Sequence, residues 1–246
     1  MRVAALADIH GNADALAAVL ADLAEQGVDA LVVLGDHFSG PLAAAETWDV
    51  LRGLGALCLL GNHDRYLLQT PRAAMGQSDG AAFDELPGAA LDWLASLPPT
   101  ARLGEAFLCH GTPASDETYL CERVTAGGAV TLRDQAAIAG LLAGVEAPLV
   151  LCAHSHLPRA LRLRDGRLVV NPGSVGCPAY TDGTPVPHVV ESGFPEASYA
   201  LLDRRAAGWD VGFRRVPYDS RRMAALAAGR GRAEWASAVA SGWITP

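Results

Sequence analysis

The chain has 246 residues, 50% of them hydrophobic and 19% charged, which provides a sizeable core and excludes a largely disordered polymer. Its formal net charge of -8, with no basic run, argues against a polynucleotide partner. Charge, Gly or Pro interrupts every apolar stretch before it could cross a bilayer, so no membrane partner is expected.

Residues 2–7 read as a strand and 14–25 as an amphipathic helix with Leu16, Val19, Leu20 and Leu23 on one face. A second strand is predicted at 30–34, a helix at 43–54 and a short buried strand at 56–60. Continuously apolar strands joined through helices imply βαβ units and a mainly parallel sheet. Residues 70–88, rich in Gly, Pro and polar side chains, are expected to form a surface excursion. A helix at 89–97 is stopped by Pro98-Pro99. A strand at 106–109, a helix at 131–142 and a strand at 149–152 follow.

The remainder reads as antiparallel. Residues 159–163 and 167–170 flank Asp165-Gly166, a hairpin signal, and 199–202 with 209–215 form a second hairpin. Residues 176–195 carry four prolines and are expected to be a long insertion loop in which His188 is solvated. Residues 220–240 are Ala-rich and helical, broken at Gly229 and Gly231. No repeat or linker divides the chain, so one domain over 1–246 is expected. Residues 3–7 run straight into the first polar motif, which a cleaved leader would remove, so a cytoplasmic location is expected. The five cysteines show no C-x-x-C spacing, and Cys58, Cys109 and Cys152 are expected to be reduced and buried. Trp48, Trp93 and Trp209 are read as core residues.

Five of the seven histidines, three aspartates and one asparagine stand in short polar motifs, each after an apolar strand: Asp8-Ile9-His10, Gly35-Asp36, Gly61-Asn62-His63-Asp64, His110-Gly111 and His154-Ser155-His156. In extended chain, residues i and i+2 share a face, so each D-x-H or H-x-H pair can aim at one ion. Taken singly each motif is weak, and G-N-H-D alone reads as a turn. In that joint order they describe a site for two divalent metals. Imidazole with carboxylate and amide oxygen suits Mn²⁺, Fe, Zn²⁺, Ni²⁺ or Co²⁺. Two such ions bring roughly +4 and two Asp with a hydroxide remove about three, leaving a positive pocket that attracts phosphate.

The series D-x-H, G-D, G-N-H-D, H-G and H-x-H, closed by Asn171-Pro172-Gly173-Ser174, resembles the calcineurin-like metallophosphoesterase family over roughly residues 2–219. The likeness is to compact bacterial and archaeal members with little beyond the core domain. The resemblance implies an α/β fold, a four-layer α/β/β/α sandwich of mixed sheets with a dinuclear site at the carboxyl ends of the strands. By the same resemblance Asp8, His10, Asp36 and His156 hold one metal and Asp36, Asn62, His110 and His154 the other, with Mn²⁺ favoured. Ala153 stands where the family's last motif has Gly, and Ala7 where Ser is common, but neither position supplies a ligand. The 176–195 insertion departs further and bears on substrate choice.

The expected reaction is attack on phosphorus by a hydroxide bridging the metals. His63 is expected to give the leaving group its proton, with Asp64 holding the imidazole protonated and aligned. His37 is placed either at the substrate or in packing beside Asp36, Arg65 and Tyr66 at the pocket lining, and the Asn-Pro-Gly-Ser turn as a support with Ser174 a donor. The expected substrate is a small phosphate ester, a phosphodiester by preference. Cleavage of a dinucleoside polyphosphate and dephosphorylation of a phosphoprotein are the alternatives, and a non-catalytic scaffold on the same fold is the reading from another class. Family habit admits a homo-oligomer.

Overall fold

Strand β1 (Arg2–Leu6) buries both faces, with Val3 and Ala5 in one apolar cluster and Ala4 and Leu6 in another. Period-two alternation therefore places it between two packed layers. The computed structural model describes residues 1–244, so the last two positions of the expected 1–246 domain lie outside the described residues. After β1 come α1 (Ala13–Ala24), β2 (Ala30–Val33), α2 (Ala44–Leu51), β3 (Leu57–Cys58) and α3 (Asn62–Gln69). A 3₁₀ turn at Arg72–Ala74 leads to α4 (Gln77–Glu85), α5 (Gly88–Ser96), β4 (Thr100–Leu103) and β5 (Ala106–Cys109). Then follow β6 (Glu122–Val124), β7 (Val130–Leu132), α6 (Gln135–Leu141), β8 (Leu149–Leu151), β9 (Arg159–Arg162) and β10 (Leu168–Asn171). The chain ends in β11 (Ala179–Asp182), β12 (His188–Glu191), β13 (Ala197–Arg205), β14 (Gly208–Val216), α7 (Arg221–Gly229) and α8 (Ala233–Ser241).

Two five-stranded sheets form, ordered β14-β13-β1-β2-β3 and β4-β5-β8-β10-β9. In each, three strands run parallel (β1, β2, β3 and β5, β8, β10) and the antiparallel strands lie outside them. Val3, Ala5, Val32 and Leu34 of the first sheet meet Leu108, Leu149, Leu151 and Val170 of the second. The outer face of the first sheet is covered by helices, with Leu16, Val19, Leu51, Leu67 and Leu94 in its cluster. Ile138 and Leu142 cover Val150 and Val169 of the second. The result is the expected α/β/β/α sandwich. Asn12 caps α1 by accepting from the Ala15 amide at 3.1 Å, one turn beyond the first motif.

Four local expectations are corrected. The excursion at 70–88 contains α4, because Ala82 and Phe83 pack into the first sheet's outer core and override a polar, Gly-containing stretch. The helix expected from 131 begins at Gln135, where Asp134 caps it by accepting from Ala137 at 2.9 Å; Thr131 and Leu132 instead belong to β7, paired with β6 in a hairpin. The 176–195 loop holds a second hairpin, β11 with β12, since its prolines fall before, between and after the strands and leave the ladder intact. His188 is therefore buried, within 3.0 Å of the Tyr119 hydroxyl and 2.8 Å of the Val186 carbonyl oxygen. All five cysteines are free and buried. Trp48 and Trp93 pack against the outer core of the first sheet and Trp209 against the inter-sheet core. Among the described residues no helix is long and apolar enough to cross a membrane.

Candidate metal centre

The polar motifs leave the carboxyl ends of the parallel strands. β1 runs into Asp8 and His10, β2 into Asp36, β3 into Asn62, β5 into His110, and β8 into His154 and His156. Five of these residues, Asp8, His10, Asp36, His154 and His156, have φ between 52° and 70°, and among the described residues no other non-glycine has positive φ. The pleated i, i+2 geometry expected for the D-x-H and H-x-H pairs is thereby corrected. Left-handed backbone at both ends of each tripeptide aims the side chains, while the middle residue, Ile9 or Ser155, is buried. Such conformations cost of order 1–3 kcal/mol each and persist where the surroundings impose them, typically at functional sites.

Seven side chains converge. The Asp36 Oδ2 atom lies 3.4 Å from His110 Nε2 and 3.7 Å from His10 Nε2, so this carboxylate stands between two groups. One group is Asp8, His10 and His156, and the other is Asp36, His110 and His154; within each, the donor atoms lie within 4.8 Å of one another. Asn62 Oδ1 is 3.1 Å from His110 Nε2, which places the amide oxygen with the second group. Asp8 Oδ1 is 3.6 Å from His156 Nε2 and 4.0 Å from His110 Nε2.

The donors fit cations. Nδ1 of His10, His110 and His156 lies 2.7, 2.8 and 2.6 Å from the carbonyl oxygens of Ser39, Leu34 and Cys177. A carbonyl only accepts, so each Nδ1 carries a proton; Nε2 of His10 and His156, whose imidazoles burial keeps neutral, presents a lone pair inward. For His110 the Asp36 charge overrides burial and raises the imidazole to about 9, so a cation there would displace its second proton. His10 and His156 thus face each other with Nε2 atoms 3.3 Å apart, an arrangement that a shared cation relieves. Both carboxylate oxygens of Asp8 are buried with no hydrogen-bond partner, at a cost that a bound cation would offset. Burial pushes the Asp8 carboxyl up to about 8 and pulls the His10 and His154 imidazoles down to about 4 and about 3. Neutral imidazole is the form that binds metal.

The floor is braced from behind. Asp64 accepts from the amides of Asp36 (2.8 Å), His37 (3.0 Å) and Gly61 (2.9 Å) and from His37 Nδ1 (2.8 Å), tying the loop after β2 to the loop after β3. His37 is fully buried in this pair, so of the two places expected for it the packing one is occupied. A Cβ on Gly61 would stand 2.1 Å from Asp36 Oδ1, and one on Gly35 2.5 Å from the Gly61 nitrogen; only glycines permit this approach. The Asn171-Pro172-Gly173-Ser174 turn supports the other loops: Asn171 Nδ2 donates to the Ala153 carbonyl, and Ser174 Oγ to the Asp8 carbonyl at 2.7 Å.

Asp64 therefore does not hold His63, as had been expected. Its oxygens are taken by the backbone and His37, and the partner of His63 is Asp79 of α4, whose Oδ1 lies 2.7 Å from His63 Nδ1. Ser39 Oγ donates to the same oxygen at 2.6 Å. Sequence reasoning missed Asp79 because it lies in the supposed surface excursion, and the one available signal was an acidic residue in the first turn of an unrecognised helix. Burial alone would lower the His63 imidazole; the Asp36 charge and the Asp79 hydrogen bond outweigh it and raise it to about 9.

The centre opens into a cleft of about 840 Å³, lined by His10, Asp36, Asn62, His63, His154 and His156 at its floor and by residues of the β6–β7 and β11–β12 hairpins on its wall. Tyr66 lines it as expected, whereas Arg65 is engaged by Asp116 and Glu117. Tyr119 and Tyr180, which sequence reasoning did not single out, stack near the floor, 4.8 Å from His154 and 4.5 Å from His156 between ring centroids.

Residues 1–158, which contain every one of these donors, match the sequence pattern of the family described as calcineurin-like phosphoesterase. A metallophosphoesterase from Sphaerobacter thermophilus has a similar structure, with a TM-score of 0.75, 25% sequence identity and 99% of each chain covered. An uncharacterised protein of Methanocaldococcus jannaschii is 24% identical, with 88% of each chain covered.

Proposed function

We propose that this chain, which belongs to the calcineurin-like phosphoesterase family and is a metal-dependent phosphoric ester hydrolase, acts on a small phosphodiester with Mn²⁺ as the favoured ion. The observation that carries the reading is the Asp8 carboxyl, buried and unpartnered 3.6 Å from the inward-facing Nε2 of His156. Asp8, His10, Asp36 and His156 would hold one ion, and Asp36, Asn62, His110 and His154 the other. When bound, such a pair supplies charge neutralisation at phosphorus and an acidified water as nucleophile.

The chain's own residues account for the rest. Asp36, held through Oδ1 by the His63 amide at 3.0 Å, keeps Oδ2 turned to both groups of imidazoles. His63 is one-third exposed at the cleft, with Nδ1 fixed by Asp79, so Nε2 carries the proton toward bound ester. Raised to about 9, that imidazole is protonated at neutral pH and can donate to the leaving oxygen. Alkoxide leaving groups, which mono- and diesters share, need such a proton donor.

The test is a panel of p-nitrophenyl mono- and diesters and natural nucleotide esters assayed with Mn²⁺, Ni²⁺, Zn²⁺ and Mg²⁺. Mn²⁺-dependent release from the diesters, faster than from the monoesters, is the expected result. Faster turnover of monoesters with every ion would replace the diester assignment.

A further inference from the structure

Among the described residues, two cationic side chains on the cleft wall have no counter-ion. Arg123 and Arg133 both line the cleft. Arg123 Nε donates to Thr131 Oγ1 at 3.4 Å and Arg133 Nε to the Tyr119 carbonyl at 3.2 Å, and among the described residues neither forms an ion pair. The cleft's third arginine, Arg232, is by contrast paired with Glu234 at 2.5 Å. The nearby carboxylates are likewise committed: Glu117 to Arg65, and Glu122 inward to Arg159. Asp182, which also lines the cleft, accepts from the Thr184 amide and forms no ion pair among the described residues.

The hairpin's register puts the two arginines on one face. Arg123 pairs with Thr131 across β6 and β7, and the Arg133 amide donates to the Cys121 carbonyl, so the ladder continues past β7. Arg123, Thr131 and Arg133 therefore share one face, the arginines as diagonal neighbours with backbones about 7–8 Å apart. The hairpin is braced at its turn, where a Cβ on Gly128 would stand 2.6 Å from the Pro187 carbonyl oxygen. It is tied to the metal centre through Tyr119, whose carbonyl accepts from Arg133 and whose ring packs at a tilt against His154. Two planar, permanently charged forks on one wall match the oxygens of phosphate.

We propose that Arg123 and Arg133 form a subsite for a second phosphate of the substrate, so that the preferred substrate carries further phosphate beside the group that is cleaved. The subsite rests on the hydrolase reading above but replaces its simple diester by a nucleoside polyphosphate, in which water breaks a phosphoanhydride P–O bond and a phosphate group leaves.

The test compares bis(p-nitrophenyl) phosphate, with one phosphate, and diadenosine tetraphosphate, with four, in the unaltered chain and in an Arg123→Gln/Arg133→Gln variant. A charge-assisted hydrogen bond is worth about 10- to 100-fold. The double variant is expected to lose about that factor in kcat/KM for the tetraphosphate, mainly through KM, and less than about twofold for the simple diester. The single variant Arg123→Gln, altered at an exposed side chain, shows part of the same selective loss and guards against a folding defect. Equal losses on both esters, or none, overturn the subsite. Titration of ADP and AMP at fixed free Mn²⁺ decides the matter even where turnover is absent, which separates failure of the subsite from failure of the hydrolase reading. The unaltered chain binds ADP more tightly than AMP and the double variant loses that preference; an unchanged ratio, or no preference to begin with, overturns the inference.

Discussion

The floor and the wall of the cleft are built on opposite principles. Every floor donor sits within four residues of a strand or at the first position of α3, several in left-handed backbone, with three imidazoles pinned through Nδ1 by carbonyls of other loops. The wall consists of two hairpins, β6–β7 and β11–β12, whose side chains hold one another through hydroxyls, as in the Tyr119–Tyr180 contact at 2.6 Å. Strain and many backbone partners leave the floor one geometry, which metal chemistry requires. The wall has few such ties to the floor and is free to vary with the substrate.

The contrast is broken most directly at the floor. Asp36→Ala removes the one carboxylate standing between both groups of donors; turnover is expected to vanish and metal content, by elemental analysis, to fall by more than the ~10- to 100-fold in affinity typical of outer partners. His63→Gln keeps the metal content and lowers kcat by ~10²–10⁴-fold, most for poor leaving groups. Full activity in that variant would remove the acid role.

Asp79→Asn sharpens the comparison, since α4 reaches the floor from outside the strand ends. Asp36 and Asp79 both raise the His63 imidazole, so activity should fall as pH rises through its pKa. Without the Asp79 charge the alkaline limb of the kcat profile moves to lower pH, while the rate at the acid plateau changes less than in His63→Gln. An unmoved limb would show that Asp79 does not set the imidazole.

The brace behind the floor carries its own signature. Burial lowers the His37 imidazole, but Asp64 overrides it and raises it to about 10, above the unfolded value near 6.5. The pair's contribution to stability is therefore complete below pH 6.5 and lost as pH rises toward 10, with a slope of at most about 1.4 kcal/mol per pH unit. Urea midpoints should decline across that window, and His37→Gln should flatten the decline. The smallest effect belongs to the wall. Tyr119→Phe loses hydroxyl contacts to Tyr180 and His188, about 1 kcal/mol of stability, and leaves metal content unchanged. Loss of metal in that variant would erase the distinction between wall and floor.

Much of the floor was legible in the sequence because each of its donors follows directly on an apolar strand, and strand ends in a parallel sheet must gather on one side of it. The reading failed where the partner came from elsewhere in the chain. Asp64 was assigned to His63 by adjacency, yet in a helix neighbouring residues point about 100° apart and Asp64 turns back to the backbone amides. Asp79 was invisible because the packing of Ala82 and Phe83, and not their local pattern, makes α4 a helix. His188 looked solvated because four prolines disguised a hairpin whose ladder they never enter.

Donor identity and order along the chain, and the alternation that buries β1, β2, β5, β8 and β10 on both faces, are properties of the sequence alone, since they depend only on residue type and a two-residue period. The tertiary structure decided which carboxylate faces which imidazole, because that depends on loops far apart in the chain meeting at hydrogen-bond distance. It alone also set the left-handed backbone of the donors and the placing of Arg123 and Arg133 on one face of the wall, since surrounding contacts impose such strain and a hairpin's register brings its two strands together.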